Sequence, residues 1–279
     1  MSEDAGVLYV VATPIGNLED ISRRAANVLS SVTMIAAEDT RRTLSLLAAL
    51  GIRAPRMQAL HEHNEAPAGD IVIEELMQGG RVALVSDAGT PLLSDPGFLL
   101  LRRCHELGIR VCPVPGPSAI SCALSVCPLP IGDVQFVGFL PARSGPREAR
   151  LRELLDADHP ILFFEAPHRC RDVLAALAGL APERRVFVAR EMTKMYETYL
   201  CGEPSELIAK MDAASQWRGE FVCIIEGRAR QDRRVMPGAE ALMRLLCAEL
   251  APAQAARIGA ELLGARKSDL YDLALKLKG

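Results

Sequence analysis

Aromatic residues are scarce in this 279-residue chain: one Trp, four Tyr and seven Phe, or 4% of the total. That argues against recognition through rows of stacked bases, which needs an aromatic platform. No apolar run approaches the roughly 20 residues of a membrane helix. The eight cysteines (Cys104, Cys112, Cys122, Cys127, Cys170, Cys201, Cys223 and Cys247) form no C-x-x-C pair. Scattered among apolar neighbours, they read as small buried hydrophobes rather than disulfides or zinc ligands. G-x-x-x-x-G-K-[ST] is absent, and no G-x-G-x-x-G follows the first strand, which excludes the usual triphosphate and dinucleotide cradles. Lysine is rare as well, since 27 of the 32 basic residues are Arg and the net charge is −3. A total of that sign disfavours a nucleic-acid partner, but it averages over faces.

At 49% hydrophobic and 24% charged, the composition is that of a folded globular protein, and the length suits two domains. The acidic MSEDAG start has no signal-peptide core, so a soluble cytoplasmic protein is expected.

Apolar runs alternate with helical periodicity through the first part of the chain. Strands are expected at Leu8–Ala12, Met34–Ala37, Met57–Leu60, Arg81–Ser86 and Arg110–Pro113. Helices are expected at Ile21–Ser30, Arg41–Leu50, Ala68–Gln78 and Pro96–Leu107. This βαβα order implies a parallel sheet covered on both faces. After the Pro-rich Cys127–Pro130 comes a second α/β series. Its strands are expected at Val134–Phe139, Ile161–Glu165, Arg185–Ala189, Tyr196–Leu200 and Phe221–Ile225, in a mixed sheet. Helices fit Arg147–Leu155, Arg169–Ala178 and Pro204–Met211. A basic linker, Arg228–Arg234, leads to three short helices near Ala239–Ala248, Pro252–Leu262 and Arg266–Leu277, with a turn at Gly264. The expected domains are residues 1–127, 128–227 and 228–279.

Three Gly- and Pro-rich loops each follow a strand of the first domain: Ala12–Asn17, Ser86–Gly97 and Pro113–Ala119. In an open parallel sheet such loops converge on one edge, where the ligand crevice lies. Gly16, Gly89 and Gly116 let backbone approach a ligand, and the prolines stiffen the loops. Together they indicate a small-molecule site.

The strings ATPIGNLEDI, AEDTRRT, HEHNE, VSDAGTPLLSDPG, VPGPSA, FVGFLP, FFEAPHR and AREMTKMYET occur in this order along residues 12–198. In them the chain resembles the bacterial 16S rRNA cytidine-2′-O-methyltransferases of the tetrapyrrole-methylase superfamily. The resemblance spans essentially the whole chain, including a helix-turn-helix-like tail. It implies two α/β domains with a donor cleft between them plus a small helical C-terminal domain. It also implies S-adenosylmethionine as donor and a ribose 2′-hydroxyl of the decoding centre as acceptor, on 16S rRNA or the assembled 30S subunit. A homodimer is expected, with no membrane association. By the same resemblance Ala12, Gly16, Asp87, Gly89, Thr90, Ser118, Ala119, Phe164 and Ile224 would lie at the donor.

A ribose hydroxyl is a weak acid, so a base or nearby cation is needed beside the aligned donor. His61 in HEHNE is the first candidate base, with Asn64 and Glu65 orienting substrate. Lys194 and Glu197 are the second candidate set, on the other domain. No metal is expected, because His61 and His63 lack a helix-borne ligand spacing. For RNA, Arg41, Arg143, Arg147, Arg150, Arg152 and Arg169 are expected to meet phosphate, with a further cluster at Arg228, Arg230, Arg233 and Arg234. Two other readings stay open: a methylase of small tetrapyrroles, and an RNA-binding module with a vestigial donor site.

Overall fold

The computed structural model describes residues 6–228, 239–265 and 267–278. They form two compact units, Met1–Gly227 and Arg228–Gly279.

The larger unit begins with β1 (Val7–Val11), α1 (Arg23–Ser31), β2 (Met34–Ala37), α2 (Thr40–Ala49), β3 (Arg56–Ala59) and α3 (Glu65–Met77). It continues with β4 (Arg81–Val85), α4 (Phe98–Glu106), β5 (Arg110–Val114) and α5 (Ala119–Ser125). All five strands pair in parallel, in the order β3-β2-β4-β1-β5. Alternation along each strand divides the core between the two faces. Leu8, Met34, Ala36, Val82 and Leu84 pack with Val72, Leu76 and Leu100 of α3 and α4. Val11, Ile35, Ala37, Ala83 and Val85 pack with Leu29 and Leu47 of α1 and α2. Burial on both faces explains why these strands read as unbroken apolar runs.

The second sheet contains β6 (Gln135–Phe139), β7 (Ile161–Glu165), β8 (Val186–Arg190), β9 (Thr198–Gly202) and β10 (Phe221–Ile225). Its order is β6-β7-β10-β8-β9, with β6 and β7 parallel and the remaining pairs antiparallel, so the sheet is mixed as expected. Helices α6 (Ser144–Leu155), α7 (Pro167–Leu180) and α8 (Pro204–Ala213) belong to the same half. One face of this sheet packs Phe163, Val188 and Cys223 against Leu151, Leu174 and Leu207 of these helices.

The other face joins the two halves. Leu162, Phe187, Ala189, Val222 and Ile224 pack with Ile15 and Ala123, and Leu129 of the Pro-rich connection is buried among them. Helix α5 was not expected from the sequence. Its seven residues are too short to persist alone, and this shared apolar layer holds them.

In the smaller unit, α9 (Ala239–Glu249), α10 (Pro252–Leu263) and α11 (Lys267–Lys278) pack around Met243, Cys247, Ala255, Ala256, Leu270 and Ala274. Gly264 ends α10 in the left-handed conformation, the turn expected there. Of the linker arginines, Arg230, Arg233 and Arg234 lie outside the described residues. Among the described residues no helix is long and apolar enough to cross a membrane.

Candidate active site

The carboxyl ends of the first sheet's strands face the second sheet across a cleft of about 440 Å³. That size suits a small ligand. The three sequence-predicted loops form one side and are fastened to each other. Thr13 and Gly89 exchange backbone hydrogen bonds of 2.9 and 3.0 Å. The Thr90 hydroxyl donates to the Pro117 carbonyl at 3.0 Å. Gly116 lies so close to Ala12 that an added Cβ would sit 3.1 Å from the alanine methyl. Gly89 has φ +78°, a conformation that strains any other residue.

The opposite wall comes from the second sheet: Phe164 to Pro167 at the end of β7, Met192 after β8, and Glu220 to Val222 entering β10. Phe139 adds a half-exposed ring from the irregular end of β6, edge-on to Phe164 with centroids 5.6 Å apart. The halves also touch beside the cleft. Asn17 N donates to Thr193 Oγ1 at 3.1 Å, and Lys194 packs over Gly16.

Backbone strain gathers in the Ser86–Gly97 loop and in the turn after β8. Leu92 and Ser94 have φ +77°, and Glu191 and Thr193 have +52° and +66°. Each such residue costs on the order of 1–3 kcal/mol, which surrounding packing must offset, and such positions gather at functional sites.

Of the donor positions implied by resemblance, Asp87, Gly89, Thr90, Ser118, Ala119 and Phe164 line the cleft. Ala12 and Ile224 are fully buried behind it, and Gly16 lies under Lys194. The sequence reading missed Glu38, Arg42, Asp95, Phe139, Met192 and Glu220, which also line it. For Glu38 and Asp95 a signal existed, because both follow the ends of strands at the sheet's carboxyl edge. Asp87 Oδ1 accepts from Asp39 N at 3.0 Å, and its Oδ2 pairs with Arg42 at 3.1 Å. Burial pushes Glu38 above the usual carboxylate range, and the neighbouring Asp87 charge adds to the rise. Burial likewise pushes Asp95 up to about 6, opposed by the Ser86 hydroxyl and reinforced by Glu38 and Asp87.

The candidate catalytic residues require correction. His61 and His63 are exposed and pack edge to face, 6.2 Å between centroids. They follow β3, the edge strand, and are not among the residues lining the cleft. Asn64 closes its own loop: Oδ1 accepts from His61 N at 2.8 Å, and Nδ2 donates to the Ala59 carbonyl at 3.0 Å. Glu65 Oε1 accepts from Gly97 N and Leu99 N at 3.1 and 2.6 Å, capping α4, whose N-cap Gly97 has no side chain to do so. Lys194 donates to Glu191 at 2.8 Å and Glu220 at 3.0 Å. Burial lowers its pKa, but the two carboxylates outweigh this and hold it above the usual lysine value, so it is a poor base. Glu197 accepts from Thr193 N and the Tyr199 hydroxyl, bracing the strained loop.

The arginines separate in the same way. Arg147 is buried, donates to the Ala142 carbonyl at 3.1 Å and faces Asp172 at 3.7 Å. Arg169 is paired with the buried Glu165. Neither is available to phosphate. Arg41, Arg143 and Arg152 are exposed, and Arg150 is half-exposed beside Glu153. Arg41 pairs with Asp39 at 2.7 Å, which holds that carboxyl well below its usual range. No three potential metal ligands converge among the described residues.

Residues 7–208 match the family model of Tetrapyrrole (Corrin/Porphyrin) Methylases, and residues 237–278 match the RsmI C-terminal HTH domain. The chain belongs to the tetrapyrrole methylase family. Within it, the chain is 47% identical over 268 residues to a ribosomal RNA small subunit methyltransferase I of Xylella fastidiosa, covering 95% of this chain and 98% of that one. The relative of the same name in Pseudomonas aeruginosa is 46% identical over 279 residues, with 99% of each covered. Solved structures share the fold at low identity. Cobalt precorrin-4 methyltransferase matches 79% of this chain and 94% of its own, with TM-score 0.57 and 14% identity. Uroporphyrin-III C-methyltransferase from Thermus thermophilus, complexed with S-adenyl homocysteine, matches 79% of this chain and 97% of its own, with TM-score 0.55 and 17% identity. As a tetrapyrrole methylase family member, the protein is a methyltransferase.

Proposed function

We propose that the protein methylates the ribose 2′-hydroxyl of a cytidine in the decoding centre of 16S rRNA, using S-adenosylmethionine and acting on the assembled 30S subunit. The observation that carries this reading is the nearly full-length identity to proteins named ribosomal RNA small subunit methyltransferase I, extending through the C-terminal helical unit.

The chemistry of the cleft suits such a donor. Ile15, Ile120, Met192 and Val222 give apolar walls. Glu38 and Asp87 favour a cation there, as a sulfonium is. When bound, the donor supplies an activated methyl group whose leaving group is a neutral thioether. What this chain contributes is alignment, which accounts for much of the acceleration in an in-line displacement. The Thr13–Gly89 and Thr90–Pro117 hydrogen bonds hold the donor loops in register. The Asn17–Thr193 bond and the packing of Lys194 over Gly16 set the separation of the two walls. Exposed Arg41, Arg143 and Arg152 and half-exposed Arg150 are suited to phosphate contact, and Arg forms such contacts with directional geometry.

Labelled donor offered with 30S subunits, naked 16S rRNA and uroporphyrinogen tests the reading. Label is expected in the rRNA of the 30S subunit. Label in the porphyrin and none in RNA would instead establish a small-molecule methylase.

A further inference from the structure

A methyl transfer to a ribose oxygen must dispose of a proton. The titratable groups lining the cleft differ sharply in their engagement. Asp87 is held through both oxygens, by Asp39 N and by Arg42. Glu165 accepts from Ala166 N and pairs with Arg169. Glu220 pairs with Lys194. Glu38 Oε2 accepts from Asp87 N at 3.4 Å. Arg42 is a permanent cation. Asp95 lines the same cleft, but among the described residues no Arg, Lys or backbone N–H is bonded to its carboxylate; burial, the Ser86 hydroxyl and the charges of Glu38 and Asp87 act on it. It belongs to the Ser86–Gly97 loop, where Leu92 and Ser94 are both left-handed, so the chain holds a strained path on its way to Asp95. That loop is anchored at both ends, by the Gly89–Thr13 bridge and by Glu65 on Gly97 N.

We propose that Asp95 is the proton acceptor for the ribose 2′-hydroxyl, an inference that rests on the ribose-methylation reading above. The hydroxyl proton passes to the Asp95 carboxylate, and the oxygen lone pair forms the new O–CH3 bond. The C–S bond of the sulfonium donor breaks with its electron pair going to sulfur, which leaves as a neutral thioether. The proton on Asp95 is then released to water through the open side of the cleft. A carboxylate with its pKa raised to about 6 is a stronger base than an ordinary one and is still largely ionised at neutral pH. Facing it are Glu38 after β2, Arg42 of α2, and Ser86 and Asp87 after β4, with Glu165 and Glu220 on the opposite wall.

The test compares full-length wild type with Asp95→Asn in three ways. These are calorimetry of S-adenosylmethionine binding, methyl transfer to 30S subunits from pH 5 to 9, and a carboxyl NMR titration with carbon-13 aspartate. Asp95→Asn is expected to bind the donor within about threefold of wild type and to lose on the order of 10²–10⁴-fold in turnover. Wild-type turnover should rise with pH and level off above about 6, and a carboxyl resonance titrating near 6 should vanish in the variant. Full turnover in Asp95→Asn would overturn the role, and loss of donor binding would reassign Asp95 to holding the donor. If the variant does not fold, the wild-type titration decides: no aspartate titrating near 6 overturns the proposal. Wild type that binds donor yet methylates no rRNA at any pH removes the ribose reading itself, whereas the other outcomes leave it standing.

Discussion

Replacing Glu65 by Ala removes one carboxylate oxygen that accepts from two backbone N–H groups at the start of α4. With Gly97 as N-cap, no local side chain replaces it. Losing a helix cap costs about 0.5–2 kcal/mol, and losing an anion at a helix N-terminus a further 0.3–1 kcal/mol or so. A loss of about 1–3 kcal/mol follows, or roughly 2–10 °C in Tm for a unit of this size. Because α4 begins where the Ser86–Gly97 loop ends, donor affinity should weaken as the loop frays. Glu65→Gln, which keeps an accepting oxygen without the charge, should lose about half as much stability. Thermal melting and calorimetry with donor measure both effects, and steady-state kinetics gives KM for the 30S subunit. Glu65→Ala with unchanged Tm and donor affinity but a raised KM for rRNA would refute the capping role and return Glu65 to substrate contact.

Ionised Asp95 lowers stability, because its folded pKa of about 6 exceeds the ordinary 3.8 and the folded state therefore holds the proton more tightly. The penalty is absent below pH about 4, grows as pH rises to about 6 and is constant above. Discounted for partial water contact, Asp95→Asn should stabilise the protein by about 1–2 kcal/mol at pH 8 and by nothing measurable at pH 4, checked by denaturant melts. Gly16→Ala sets a methyl 2.5 Å from Lys194 Cγ and 2.8 Å from Thr193 Oγ1. It should displace Lys194 from Glu191 and Glu220, lowering stability by about 1 kcal/mol and weakening donor binding several-fold in calorimetry. Arg150→Ala with Arg152→Ala should weaken rRNA binding, flatten its salt dependence by about 1–2 in log–log slope, and leave donor affinity unchanged. Arg147→Ala should instead lower stability by about 2–3 kcal/mol, since it removes buried packing and leaves the Ala142 carbonyl without its donor.

Strands buried on both faces were the easiest elements to read. Met34–Ala37, Ile161–Glu165 and Phe221–Ile225 form with the expected bounds because continuous apolar runs flanked by polar residues leave little choice. The loops that line the cleft were legible for a similar reason: glycine and proline at three strand ends carry a conformational requirement. The short α5 was not, since it depends on the apolar layer joining the two halves. HEHNE misled because a dense polar segment announces local hydrogen bonding as readily as chemistry, and here Asn64 closes a loop and Glu65 caps a distant helix. Arg147 could have been told from Arg150 and Arg152. Arg147, Leu151 and Leu154 fall at i, i+4 and i+7, the buried stripe of α6. Glu38 and Asp95 carried only the weak signal of following strand ends at the carboxyl edge, and the folded edge of the sheet is what brings the two together in the cleft.

The most direct test of the account is the chemical position of the transferred methyl. 30S subunits methylated by the wild-type protein with labelled donor, digested to nucleosides and separated by mass, should carry the label as 2′-O-methylcytidine. Label on a nucleobase, or on the ribose of a nucleoside other than cytidine, would contradict it.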